Sequence, residues 1–133
     1  MSSQWDSFTK SGVFMINISV NEWLDRETKE ANLLICDNDI RFIAFCPQYV
    51  ELESERILLQ SLYSSDVILT FDKPMIKKDN NGFYSYIVIG NVLSIDPPCV
   101  NLTNEITIEL DSALPGDIQK GQNVQFHTER LSL

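Results

Sequence analysis

The sequence has few positively charged residues. Its 133 residues include 10 lysines and arginines against 19 aspartates and glutamates, which gives a formal net charge of −9. Nucleic acids and anionic lipids both repel such a surface, because binding to phosphates depends largely on lysine and arginine. The composition therefore argues against direct contact with nucleic acid or a membrane. A basic protein is attracted instead, although acidity also serves solubility alone.

Cysteine and histidine are scarce as well. The cysteines Cys36, Cys46 and Cys99 are odd in number and show no CxxC spacing, and His127 is the only histidine. This set is too small for a disulfide framework or for a zinc cluster of cysteine and histidine. We therefore expect buried, reduced thiols, no metal and no cofactor.

Motifs of catalysis are missing. The sequence contains no GxSxG, GxGxxG or GxxxxGK[ST] pattern, so serine chemistry and nucleotide cofactors lack their usual loops. His127 is expected at the surface or the rim of the last predicted strand. A general base needs an orienting carboxylate and a nucleophile, and strand alternation divides the neighbouring Thr128, Glu129 and Arg130 between two faces. We predict that the protein is not an enzyme.

Long apolar stretches are also absent. No run approaches the length of a membrane span, and the first residues show neither the basic nor the apolar region of a signal peptide. We therefore expect a cytoplasmic protein. The length suits a single domain over residues 1–133, and the hydrophobic content of 44% suits a globular chain with a sizeable core.

What the sequence does contain is alternation of apolar and polar residues. This pattern covers residues 12–20, 105–110 and 123–131 and is typical of half-buried strands. Two nearly continuous apolar runs, 31–36 and 40–46, flank Asp37-Asn38-Asp39 and indicate a hairpin in a sheet covered on both faces.

Turn signals and one different spacing complete the prediction. Residues 79–82 favour a turn, and Gly90 inside the predicted strand 83–95 indicates a bulge or a sharp bend. Apolar spacing over 54–63 predicts a short helix, with a strand as the alternative. We therefore expect a mainly β fold (α+β at most), an antiparallel β-sandwich or small Greek-key barrel of about seven or eight strands with one short helix.

Acidic residues cluster in polar loops beside aromatic residues, a composition typical of interface hot spots. The loops around 37–39 and 51–55 bracket the predicted strand 40–46, so we expect them near one end of the sheet. The alternatives are a solvated rim for the acids and a place in the core for the aromatics. The predicted partner-binding residues are Glu22, Trp23, Asp25, Asp37, Asp39, Tyr49, Glu51, Glu53 and Glu55.

Small size, acidity, reduced cysteines and the missing catalytic set together resemble the immunity proteins of bacterial contact-dependent and polymorphic toxin systems. The resemblance implies a monomeric inhibitor whose partner is a cognate basic toxin domain, with a nuclease as the expected type. The inhibitor would cover the active site of the toxin or an exosite. The alternative is an OB-like β-barrel adaptor for a protein or a small ligand, which the long strand with Gly90 and the loop at Gly121 resemble.

Overall fold

A computed structural model describes residues 16–51 and 56–133. These residues form eleven strands and no helix, and therefore no helix that is long and apolar enough to cross a membrane. The strands are β1 (Asn17–Asp25), β2 (Glu30–Asp37), β3 (Ile40–Cys46), β4 (Ile57–Leu62), β5 (Ser65–Thr70), β6 (Met75–Lys78), β7 (Tyr86–Ser94), β8 (Cys99–Asn101), β9 (Ile106–Glu109), β10 (Asn123–Thr128) and β11 (Arg130–Ser132).

All of these strands belong to one mixed sheet. The order is β1-β2-β3-β11-β4-β9-β8-β7-β10-β5, with β6 paired to β7 off this path. The β3–β11 and β4–β9 pairs are parallel, and the other pairs are antiparallel. The short strand β11 joins the two halves of the sheet, because it lies between β3 and β4 and pairs with both.

One face of the sheet encloses the main core. Ile35 of β2 and Phe42 of β3 belong to the same buried cluster as Val88 of β7 and Phe126 of β10. These strand pairs lie far apart in the sheet order, so the sheet must fold over for their side chains to meet. Along β10, Phe126 is buried in this core, whereas His127 is half-buried on the opposite face.

The mainly β class is confirmed, but the expected count of about seven or eight strands in a sandwich is wrong. The count is higher because β6 and β8 are too short to show a pattern, and because the predicted strand 123–131 divides at Glu129 into β10 and β11. A sandwich needs two sheets, whereas β11 makes the described strands continuous. Within the described ranges the path runs from β1 to β5 without closing.

The predicted helix over 54–63 is also wrong, and the strand that was its alternative is confirmed in the described part, which forms β4. Ile57, Leu59 and Ser61 are buried in alternation with exposed residues. The sequence does not show this two-residue alternation, because the buried residue Ser61 is polar. Its hydroxyl is satisfied inside the sheet by Thr128 Oγ1 at 2.7 Å, and parallel pairing with β9 supplies the backbone hydrogen bonds.

The hairpin is confirmed, with Asp37 of β2 opposite Ile40 of β3 and Asn38 at a φ of 56° in the turn. Strand β1 continues to Asp25, beyond the predicted end, while the predicted strand residues 12–15 lie outside the described residues. Along one edge, β7 pairs with β6 up to Ile89 and with β8 from Asn91 onward, and Gly90 lies between these two segments. A Cβ atom there would lie 2.6 Å from Val100 Cγ2, so only glycine lets β8 approach this closely.

Candidate functional site

Those predicted acidic residues that the structure describes lie at two opposite ends of the β2–β3 hairpin. Trp23 pairs with Ala31 near the start of β2, and the Tyr49 amide donates to the Lys29 carbonyl at 2.8 Å. Asp37 lies at the far end of β2, roughly 20 Å from Ala31 along the strand, and Asp39 lies in the turn beyond it.

The expectation that the 37–39 and 51–55 loops lie near one end of the sheet is wrong for Glu51, the one described residue of the second loop. Asp37 and Asp39 precede strand β3 and Glu51 follows it, so the length of this strand separates them. Glu51 is exposed on the side of Trp23 and Tyr49, whereas Glu53 and Glu55 lie outside the described residues.

Asp37 is buried rather than available to a partner, which corrects its predicted role. Its side chain is 2% exposed, and its carboxylate accepts a hydrogen bond from Thr103 Oγ1 at 2.7 Å. Burial, followed by the nearby charge of Asp37, raises the pKa of Glu105. Asp37 thus holds the β2–β3 turn against the loop before β9, while Asp39 is exposed.

Trp23 and Tyr49 are partly in a core. Their ring centroids lie 6.1 Å apart with an interplanar angle of 76°. Both rings pack against a small buried cluster of Ala31, Leu33 and Cys46, where burial raises the pKa of the Cys46 thiol. The half-buried rings therefore stabilise this end of the hairpins and leave only part of their surface for a partner.

Acidic residues are concentrated at this end of the hairpins, on β1, on β2 and in the segment after β3. We call this group, together with Trp23 and Tyr49, the hairpin end. Cross-strand pairing puts Glu22 with Asn32 on the sheet face opposite to Trp23 and Ala31, and the Arg26 guanidinium lies 5.6 Å from the centre of the Trp23 ring. Glu22 is oriented by Asn32, whose amide donates to Glu22 Oε1 at 3.3 Å while its carbonyl accepts from the Tyr84 hydroxyl at 2.7 Å. The acids of the hairpin end are Glu22, Asp25, Glu27, Glu30 and Glu51, and the bases beside them are Arg26 and Lys29.

A separate concave site was not predicted from the sequence. It is a cavity of about 410 Å³ on the face of β10 opposite the core, and we call it the His127 cavity. Side chains from the β4–β5 turn, from the 79–85 loop and from β10 line it. The lining residues that matter below are Tyr63, Asp66, Asp79, Phe83, His127 and Glu129.

His127 and Asp79 form the polar centre of this cavity. His127 Nδ1 lies 3.0 Å from Asp79 Oδ2, and the two side chains are 32% and 13% exposed. The hydrogen bond with His127 is the main reason why the pKa of Asp79 is lowered. Sequence reasoning placed His127 at a rim but missed its carboxylate, because Asp79 lies 48 positions away.

The same contact attaches the 79–85 loop to β10. Within this loop the Lys78 ammonium donates to the carbonyl oxygens of Asp79 at 2.6 Å and Ser85 at 3.0 Å, and also to that of Gly82. The Lys78 charge is therefore held by the backbone of its own loop and does not line the cavity. Ser65 lies opposite His127 in the β5–β10 register, and no hydrogen bond joins their side chains in the part of the chain that is described.

Two aromatic rings are exposed at the cavity. Tyr63 is 71% and Phe83 59% exposed. The backbone of Tyr63 has a φ of 58°, a value that residues other than glycine rarely adopt. Asp111 holds it there, because its carboxylate oxygens accept the Tyr63 amide at 2.6 Å and the Ser64 amide at 2.9 Å. An ordered tyrosine is thus presented to solvent at some conformational cost.

The lining of the cavity carries negative charge. Asp66, Asp79 and Glu129 line it, and no lysine or arginine does so among residues 16–51 and 56–133. Arg130 lies in an adjoining depression, with its guanidinium 4.4 Å from the Phe45 ring. Acidic groups and exposed aromatic rings therefore line one half-open depression.

The acidic groups do not converge as metal ligands. Across the described ranges, no group of three or more histidine, cysteine, aspartate or glutamate residues is placed to hold a metal ion. No family model, curated protein or solved structure matches this chain.

Proposed function

We propose that the chain is a protein-binding inhibitor that neutralises a cognate basic toxin domain, in the manner of bacterial immunity proteins. The observation that carries the proposal is the hairpin end, where five acids and two bases of β1, the β1–β2 turn, β2 and the segment after β3 lie at the same end of the sheet as the Trp23–Tyr49 pair. A basic cleft, such as that of a nuclease, is complementary in charge to this surface.

Local structure supports binding at the hairpin end. The Asn32 amide orients Glu22, and Asp25 Oδ1 accepts the Glu27 amide at 2.9 Å within the β1–β2 turn. Carboxylates that are already ordered lose less entropy when they pair with lysine or arginine on a partner. Aromatic surface at the same end of the hairpins excludes water when a partner covers it, which strengthens charge pairs at the centre of an interface.

The test uses the C-terminal domain of the protein that is encoded directly upstream of this chain. Wild-type chain is expected to inhibit that domain's activity when one chain is added per domain. Glu22→Gln with Glu51→Gln should slow association about tenfold at low salt and reduce its salt dependence. Asp117→Asn is the matched control, because Asp117 is an exposed acid in the loop before β10.

The outcomes test the inhibitor function and the role of the hairpin end separately. If wild-type chain binds the domain and leaves its activity intact, the inhibitor function is wrong. If the double variant and Asp117→Asn associate at the same rate as wild type, inhibition operates through a different surface.

The alternative function is an adaptor that binds a protein or a small ligand. The His127 cavity favours it, because a volume of about 410 Å³ lies in the range of ligand sites. An adaptor binds its ligand through this cavity and leaves enzymatic activity of the upstream domain unchanged, so the same titration distinguishes the two functions.

A further inference from the structure

We propose that the His127 cavity binds an organic cation, which is either the lysine or arginine side chain of a peptide or a small guanidinium or ammonium compound. The proposal goes beyond the inhibitor function and does not rest on it. It uses residues of the β4–β5 turn, the 79–85 loop and β10, none of which belongs to the hairpin end.

The acidic lining of the cavity favours a positively charged ligand. Asp66, Asp79 and Glu129 line the cavity, whereas Lys78 does not line it and donates its hydrogen bonds to backbone carbonyls, although its charge also acts on Asp79. Asp79 is ionised at neutral pH like an ordinary aspartate, and its hydrogen bond with His127 lowers its pKa further. The chain as a whole carries a net charge of −9, which attracts cations towards any concave acidic surface.

Aromatic side chains narrow the class of cation. Tyr63 and Phe83 line the cavity and are 71% and 59% exposed to solvent. The face of an aromatic ring attracts guanidinium and alkylammonium groups, whose hydration is weaker than that of a metal ion. A hydrated metal ion gains little from such rings and needs converging ligands. The combination therefore favours an organic cation.

The rigidity of the walls supports a preformed site. Asp111 fixes the backbone of Tyr63, and His127 fixes the 79–85 loop through Asp79. A volume of about 410 Å³ exceeds that of one arginine side chain, so the neighbouring part of the ligand fits as well. Little ordering is then needed when the ligand enters.

The experiment titrates the full ¹⁵N-labelled chain with acetyl-arginine amide, with its uncharged citrulline counterpart, and with a short glycine–serine peptide that carries one arginine. We expect amide chemical shifts to move around Ser65, Phe83 and His127 with both arginine probes and to remain unchanged with citrulline. Tighter binding of the peptide identifies a protein side chain as the natural ligand, and equal binding identifies a small molecule.

Variants locate the site without disturbing the backbone. Tyr63→Gly removes the ring and accepts the positive φ, and it should weaken arginine binding about two- to fivefold. The double variant Asp66→Asn with Glu129→Gln should weaken arginine binding by about two- to fivefold as well. Asparagine also accepts the φ of 56° at position 66. Phe71→Ala is the matched control, because Phe71 is 97% exposed and lies outside the cavity.

Three results would overturn the proposal. They are citrulline binding as well as arginine, shifts spread evenly over all acidic surfaces, and variants of Tyr63 or of the acids that bind like Phe71→Ala. Loss of arginine binding leaves the inhibitor function untouched, since Glu22 and Glu51 are not part of this test. Circular dichroism of each variant confirms that it is folded.

Discussion

The carboxylate of Asp111 accepts a hydrogen bond from the Tyr63 amide at 2.6 Å, although the two residues are 48 positions apart. The second carboxylate oxygen accepts the Ser64 amide at 2.9 Å. Two successive amide groups of a turn thus bind one anion, and this pairing stabilises a tyrosine backbone at a φ of 58°. The loop that carries Asp111 therefore determines how the aromatic wall of the His127 cavity is presented.

Asp111→Asn should destabilise the protein by about 1 kcal/mol. The substitution replaces one accepting oxygen by an amide group and removes the charge, while solvent partly replaces the lost bond at this exposed position. Urea unfolding of the variant and of Asp117→Asn measures the difference. Equal midpoints for these two variants would show that the Asp111 bonds contribute nothing to stability.

The Asp79–His127 bond should make stability depend on acid pH. The pKa of Asp79 is lowered in the folded protein, chiefly by the hydrogen bond with His127. Its stabilising effect is therefore complete above the pKa of an unfolded aspartate, about 3.9, and is lost as pH falls through the lower folded value.

Asp79→Asn is the comparison for this dependence, and urea midpoints between about pH 2 and pH 6 are the measurement. The wild-type midpoint should decline more steeply than that of the variant below about pH 4. Asp111 contributes in the same window, because hydrogen bonds from Ser64 and Tyr63 outweigh the effect of burial and lower its pKa. Parallel curves for wild type and Asp79→Asn would contradict the assignment to Asp79.

Local patterns predicted much of the fold. Alternation located β1 and β9, and the Asp37-Asn38-Asp39 turn between apolar runs located the β2–β3 hairpin. Both signals are confined to a few neighbouring residues. Prediction failed at β4, because the polar Ser61 resembles a surface residue in the sequence. Its hydroxyl donates a hydrogen bond to Thr128, which lies 67 positions away, and no local pattern shows this partner.

The candidate site was less predictable for the same reason. His127 meets Asp79, and Tyr63 meets Asp111, only because strands distant in sequence become neighbours in the sheet. Composition drew attention to acidic and aromatic residues but could not show which of them share a surface. Asp37 is the clearest example, since its charge predicted exposure and Thr103 instead binds it in a buried position.

Glu105→Gln should stabilise the protein at neutral pH. Burial, followed by the charge of Asp37, raises the pKa of Glu105 in the folded state. Such a carboxyl favours folding when it is protonated, and this contribution is lost as pH rises from about 4.3, the value of an unfolded glutamate, through the folded pKa. The neutral glutamine avoids that loss.

Urea midpoints at two pH values check this sign. The variant should exceed wild type at about pH 7, and the difference should disappear below about pH 4, where both side chains are neutral. Asp117→Asn is the control for a general reduction in negative charge. A gain of the same size from Asp117→Asn would assign the effect to net charge instead of to the Asp37–Glu105 neighbourhood.

Gly90→Ala should destabilise the protein by about 1–3 kcal/mol, because the new methyl group overpacks the junction of β7 and β8. Its Cβ would lie 2.6 Å from Val100 Cγ2 and 2.8 Å from Val100 Cβ, in the main core. Gly116→Ala is the matched control, since no atom lies within 4 Å of a Cβ at that position. In a Val100→Ala background the Gly90 substitution should cost less but still remain unfavourable, because the Cβ contact persists. Equal stability of the Gly90 and Gly116 variants would mean that β8 does not approach β7 as closely as this packing requires.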